Sequence, residues 1–180
     1  MHTQVFRSSM LLLLLATALP AIGETLNEQM QALGIDAPRE RLPAPLFELP
    51  ALDDSRVRLQ DYRGRLVLIH FWATFCEPCR EEMPALAALA ESPGGQEVIV
   101  LAVAVDRGNR RGVATFANRY APQLTVPLDA AGDVRAQYEI EALPTTYLVG
   151  RDGRFIGRSI GERDWTDPAF RKLFERLADQ

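Results

Sequence analysis

Residues 66–80 read LVLIHFWATFCEPCR: a seven-residue run that is apolar except at His70, a short turn, then two cysteines two residues apart. The run is β-rich and continuous, which predicts a strand over Leu66–Trp72 buried on both faces of a sheet. Glu77–Glu91 then carries Met83, Leu86, Leu89 and Ala90 on one side, the pattern of a helix, and residues 98–105 form a second apolar run. Strand, helix and strand over this length imply a parallel βαβ unit with a right-handed crossover. Cys76 and Cys79 therefore open a helix that follows a buried strand. Two residues between cysteines on one helical turn bring the sulfurs near the geometry a disulfide needs. The first sulfur also lies beside backbone N–H groups that lack helical partners, and these stabilise its thiolate. Thiolate is the species that attacks a disulfide. Cys76 is thus the expected nucleophile, and Cys79, one turn deeper, the thiol that resolves a mixed disulfide.

Toward the N-terminus, residues 47–49 and 56–59, with Asp53-Asp54-Ser55 between them, predict a short hairpin. Residues 37–50 hold Pro38, Pro43, Pro45 and Pro50, which favours an extended tether. Thr25-Leu26-Asn27-Glu28 has capping-box spacing for a short helix, with Leu26, Met30 and Leu33 at helical intervals and Gly34 as its stop. Toward the C-terminus the pattern predicts a helix at 111–120, a strand at 124–128, a helical turn at 132–138, and strands at 145–149 and 155–159. The last two flank Gly150-Arg151-Asp152-Gly153, whose Asp-Gly ending favours a tight hairpin. A final helix at 168–177 has Thr166 or Asp167 as cap, Pro168 in its first turn, and Phe170, Leu173, Phe174 and Leu177 along one face. The fold class is α/β, a mixed central sheet with helices on both sides.

Composition narrows the function. A net charge of −4 over 180 residues gives no electrostatic reason to expect nucleic acid as partner. Residues 1–23 run from a basic start (His2, Arg7) through an apolar stretch to Ala21-Ile22-Gly23, a small-x-small pattern suited to cleavage before Glu24. The 14 residues from Met10 to Gly23 are fewer than the about 20 that a spanning helix needs. Residues 1–23 are therefore expected to be a signal peptide, residues 24–43 a short helix and tether, and residues 44–180 the folded domain. An uncleaved single-pass membrane anchor is the alternative. The protein is expected in the periplasm or otherwise exported, or anchored in the inner membrane facing the periplasm. Thiols there tend to be oxidised, so a lone cysteine pair is either a structural disulfide or a working redox couple. Haem c attachment requires His directly after the second Cys, where this chain has Arg80. Cys76, Cys79, His2 and His70 are the only soft ligands, and His2 leaves with the leader, too few to close a structural zinc site. No metal or cofactor is expected.

Phe71-Trp72-Ala73-Thr74-Phe75-Cys76-Glu77-Pro78-Cys79-Arg80, followed by Glu82 and Pro84 and then by Leu143-Pro144-Thr145-Thr146, resembles the thioredoxin superfamily. Within it the chain is similar to the exported TlpA/ResA-type reductases, which include the cytochrome c maturation thioredoxins. The resemblance covers about residues 44–178 and implies a thioredoxin-like fold with a Cys76–Cys79 redox disulfide. It places Pro84 in the active-site helix and Pro144 in a cis-proline loop that faces the cysteines. It implies that Trp72, Phe75, Glu77, Pro78, Leu143, Pro144 and Thr145 meet the substrate. The hairpin and an insert between Val105 and Pro144 are typical of the TlpA-like branch. Peroxiredoxins share much of this layout, but their motif has Thr three and Pro seven residues before the reactive Cys, where this chain has Ala73 and Ile69.

Phe75 replaces the Trp usual before the first cysteine and keeps an apolar platform. His70, in phase with Leu68 and Trp72, stands where relatives commonly carry Asn or Asp. Two readings stay open: a satisfied core histidine, or a residue that assists proton transfer at Cys79. Glu82 lies one helical turn past Cys79, so both can face the same side. Relatives of the ResA type use a Glu at this spacing to influence thiol ionisation, and such a carboxylate could take or return the proton of Cys79. Glu77 beside Cys76 disfavours the reduced thiolate and so favours a low potential, whereas Arg80 pulls the other way. The expected activity is a protein disulfide oxidoreductase working as reductant. Apocytochrome c before haem attachment is the candidate target, and a membrane electron carrier of the DsbD/CcdA type would recharge the protein. A DsbA-like oxidase and a non-catalytic peptide-binding adaptor are the alternatives.

Overall fold

The computed structural model describes residues 24–92 and 97–179. The expected signal peptide, residues 1–23, lies outside the described residues. Among the described residues the elements in chain order are α1 Leu26–Ala32, β1 Glu48–Pro50, β2 Arg56–Arg58, β3 Leu66–Trp72, α2 Glu77–Glu91, β4 Val98–Ala104, α3 Arg110–Tyr120, α4 Asp133–Gln137, β5 Thr145–Val149, β6 Phe155–Ile160 and α5 Pro168–Ala178. A 3₁₀ turn, Leu59–Tyr62, leads from β2 toward β3. The main sheet has the order β4-β3-β5-β6, with β3 parallel to β4 and antiparallel to β5. β1 and β2 pair as a separate antiparallel hairpin.

All seven residues of β3 are buried because both faces of the strand are covered. Leu66, Leu68 and Trp72 belong to a core shared with Met83 and Leu86 of α2, Val113 and Ala117 of α3, and Phe170, Leu173 and Phe174 of α5. Val67, Ile69 and Phe71 face the other way, into a second core with Leu49 and Val57 of the hairpin and with Val134 and Tyr138 at α4. The period-2 alternation of the central strand thus decides which side chains meet α2, and His70 falls on the α2 side.

The strand expected at 124–128 is replaced by two isolated parallel bridges to β4, Leu101 with Thr125 and Ala104 with Leu128. Pro127 has no N–H to give a ladder. The remaining groups are divided between two sheets: the Ala102 and Ala104 N–H groups donate to the Thr125 and Pro127 carbonyls at 3.0 and 2.9 Å, while Leu128 N–H donates to the Pro50 carbonyl at 2.8 Å. The segment ties the hairpin to the edge of the main sheet.

Within residues 24–43, α1 and the turn after it are packed as well, while residues 36–43 are exposed. Thr25 caps α1 with the reciprocal Glu28 contact of a capping box, and Asp36 and Arg158 exchange backbone hydrogen bonds of 2.7 and 2.9 Å along the outer edge of β6. Met30 and Ile35 are 2% and 1% exposed. Gly157 is required beneath them, since a Cβ there would stand 2.5 Å from Ile35 Cγ2 and 2.7 Å from Met30 Cε. Ile35→Ala should therefore cost about 2–5 kcal/mol of stability. Urea unfolding checks this, and a cost below about 0.5 kcal/mol, the range of surface substitutions, would show that the segment does not share the core.

Candidate active site

The cysteines sit where β3 ends and α2 begins. Cys76 is the N-cap of α2 in extended conformation, and its sulfur accepts the Cys79 N–H at 3.3 Å. The orphan donors of a helix start thus point at the first sulfur, the arrangement that holds down the energy of a thiolate there. The two sulfurs are bonded at 2.02 Å, with Cα atoms 5.3 Å apart. Cys76 is partly exposed, and Cys79 is wholly buried against the core of the α2 side. Pro78 occupies the first turn, where its missing N–H costs no helical bond. The turn before the helix is pinned by Asp106, at the end of β4, whose carboxylate accepts the Thr74 N–H at 3.0 and 3.2 Å and also the Thr74 hydroxyl.

The Leu143–Pro144 peptide is cis. Leu143 and Cys76 are both partly buried and pack against both cores. The Pro144 carbonyl already accepts the Gly161 N–H at 2.9 Å. Of the residues expected to touch substrate, Pro144 is buried, and Trp72 and Thr145 have no exposed surface at all. Trp72 is fully buried, and its indole N–H donates to the Ala102 carbonyl at 3.1 Å. The strand alternation aims it at α3, where its ring stacks with Phe116, centroids 5.4 Å apart. Thr145, also fully buried, turns its hydroxyl back to the Ala142 carbonyl at 2.8 Å. Both support the site from beneath. Phe75, 74% exposed, stands out beside Cys76, and Glu77 is exposed next to it.

Behind the pair lies an ionisable couple that spacing alone does not join. His70 comes from β3 and Glu82 from the buried side of α2, and His70 Nε2 is 3.2 Å from Glu82 Oε1. The other ring nitrogen, Nδ1, is 3.0 Å from Thr146 Oγ1 on the neighbouring strand β5. Glu82 Oε2 accepts the Arg163 N–H at 2.9 Å. Side-chain exposure is 0% for His70 and 4% for Glu82. Burial pushes His70 down to about 3 and Glu82 up to about 7, the latter against the pull of the Arg163 N–H and the Trp165 indole. At neutral pH the imidazole is uncharged and the carboxyl is near its midpoint. An open cavity of about 430 Å³, lined by Glu81, Glu82, Ala85, Glu162, Arg163 and Asp164, gives Glu82 a route to water. Glu82 can therefore exchange a proton with solvent on one side, while its other oxygen lies beside His70 Nε2.

Asp106, Arg163 and Trp165 were not legible as site residues. An acid directly after the apolar run of β4 was the one available signal for Asp106; nothing local marks Arg163, whose N–H reaches Glu82 across 81 positions.

Residues 41–156 match the AhpC/TSA family. The chain is 35% identical over 154 residues to the thiol-disulfide oxidoreductase ResA of Oceanobacillus iheyensis, covering 83% of this chain and 77% of that one. It is 32% identical over 150 residues to ResA of Bacillus subtilis, covering 83% and 80%. Among solved structures it superposes on a candidate thiol:disulfide interchange protein DsbE of Chlorobium tepidum with a TM-score of 0.69 at 26% identity, over 77% of this chain and 97% of that one.

Proposed function

The chain belongs to the AhpC/TSA family and to its ResA-type thiol-disulfide oxidoreductases, and from that premise we propose that it is an exported reductant of protein disulfides. The observation that carries the reading is the asymmetry of the pair: Cys76 partly exposed at the helix mouth, Cys79 buried beneath it. In the reduced protein the Cys76 thiolate attacks one sulfur of a target disulfide, forming a mixed disulfide and expelling one target thiolate. Cys79 then loses its proton to Glu82 and attacks Cys76 Sγ, which re-forms the Cys76–Cys79 bond and expels the second target thiolate. Two electrons pass to the target, and protons complete its two thiols. A base matched to the working pH serves such a transfer best, which is where burial sets Glu82. His70 is the residue that positions Glu82.

Phe75 and Glu77 flank the reacting sulfur, and the Leu143–Pro144 loop supplies the facing wall. The target proposed is apocytochrome c before haem attachment. A reductant in an oxidising compartment has to be recharged, which calls for a membrane electron donor of the DsbD/CcdA type. Among the described residues no helix is long and apolar enough to cross a membrane. A peroxidatic cycle is disfavoured because Ala73 and Ile69, both fully buried, occupy the places of the peroxiredoxin Thr and Pro.

The deciding measurement is the Cys76/Cys79 potential, read by equilibration with glutathione. A thioredoxin-like value of about −270 mV is expected; one of about −120 mV would make the protein an oxidant. Absence of exchange altogether would leave a peptide-binding adaptor with a static disulfide.

A further inference from the structure

Beside the disulfide, between the start of α2 and the exposed side of α3, runs an open groove of about 520 Å³. Thr74, two residues before Cys76, and Arg80, directly after Cys79, form one edge; Arg111, Phe116, Arg119 and Tyr120 of α3 form the other. The rings of Phe116 and Tyr120 lie 4.8 Å apart, Arg80 sits over Phe116 at 5.6 Å, and Arg119 over Tyr120 at 5.2 Å. Two guanidinium groups are thus held against aromatic faces, where less freedom is lost when they bind. None of the three arginines is in an ion pair among the described residues, and no carboxylate lines the groove. Their neighbour Arg110 differs: it is occupied by the Leu52 carbonyl and by Asp54 at 2.9 and 2.6 Å. On a chain of net charge −4 this is a local concentration of unspent positive charge.

We propose that this groove docks an acidic segment of the target protein next to its disulfide, and so selects targets by the charge flanking their cystines. The inference rests on the reading that the protein exchanges disulfides with other proteins. Forked guanidinium donors match carboxylates, the apolar rings take the stems of the flanking side chains, and Arg80 places the bound segment within reach of the reacting pair.

The test uses the whole mature protein and three substrates: a cystine peptide flanked by aspartates, the same peptide flanked by lysines, and uncharged 2-hydroxyethyl disulfide. The aspartate peptide should exceed the lysine peptide in kcat/KM by about tenfold or more at low salt, and the gap should close as ionic strength rises. Arg111→Glu with Arg119→Glu should abolish or invert the preference and leave turnover of 2-hydroxyethyl disulfide unchanged; should that pair of changes not fold, Arg119→Gln alone should halve the preference or more. Equal use of the two peptides by the wild type, or a preference that survives these substitutions, would overturn the groove while leaving the oxidoreductase intact. No turnover of 2-hydroxyethyl disulfide by the wild type would instead remove the activity on which the groove depends.

Discussion

Cys79→Ser is expected to arrest the protein as a covalent adduct with its target, and Cys76→Ser to lower exchange by about 10³-fold or more, the scale of losing an enzyme nucleophile. The two outcomes differ because the sulfurs differ in place. Cys76, at the helix mouth, can be reached by a foreign cystine, and its sulfur accepts a helical N–H that survives replacement of the Cys79 side chain. Cys79 has 0% exposure, packed in the core with Cys76 as its bonded sulfur partner. With serine at 79 the first attack proceeds, the second has no nucleophile, and the mixed disulfide persists. Intact-mass analysis after incubation with a cystine peptide should show the adduct, and dithiothreitol should release it. An adduct formed by the Cys76→Ser protein, with none from Cys79→Ser, would reverse the roles.

The buried couple makes a second large effect, on both rate and stability. In the unfolded chain Glu82 titrates near 4.5, and in the folded chain near 7. Between those values the unfolded state releases a proton that the folded state keeps, so stability falls as pH rises from about 4.5 to about 7, by about 3 kcal/mol in total. For His70 the sign is opposite: its usual 6.5 drops to about 3, and stability is lost as pH falls through that interval. The two slopes oppose each other between about 4.5 and 6.5 and produce a plateau there. Glu82→Gln should remove the loss on the alkaline side, and His70→Asn the loss on the acid side, each seen as a difference from wild type in urea midpoints across pH 3–8. The same Glu82→Gln change should slow the resolving step and flatten its rise around pH 7. Should wild type and Glu82→Gln give parallel curves in both measurements, the carboxyl neither holds the proton assigned to it nor delivers it.

Periodicity located the elements that carry the site. Leu66–Trp72 and Glu77–Glu91 lie where the apolar pattern places them, because a strand covered on both faces leaves an unbroken apolar run and an amphipathic helix leaves a 3.6-residue one. The pattern failed at residues 124–128, where apolar side chains were buried without a ladder: Pro127 removes a donor and the hairpin claims others. Trp72 differs in another way: the family resemblance implied a substrate contact, while strand alternation turns it into the core.

Arg80, Arg111 and Arg119 are a case of the reverse kind. In the chain they are three unremarkable cations, and α2 packed beside α3 assembles them around two rings.

From residue order alone followed whatever depends on near neighbours: a paired-thiol chemistry, the first sulfur at a helix start, a carboxyl one turn beyond the second. Folding decided what depends on distant ones. His70 acquires Thr146 from 76 positions away, and Glu82 the Arg163 N–H from 81 away. Only the sheet register and the packing of α2 on β3 turn a strand histidine and a helix glutamate into one couple withdrawn from water, and that withdrawal is what shifts their proton affinities.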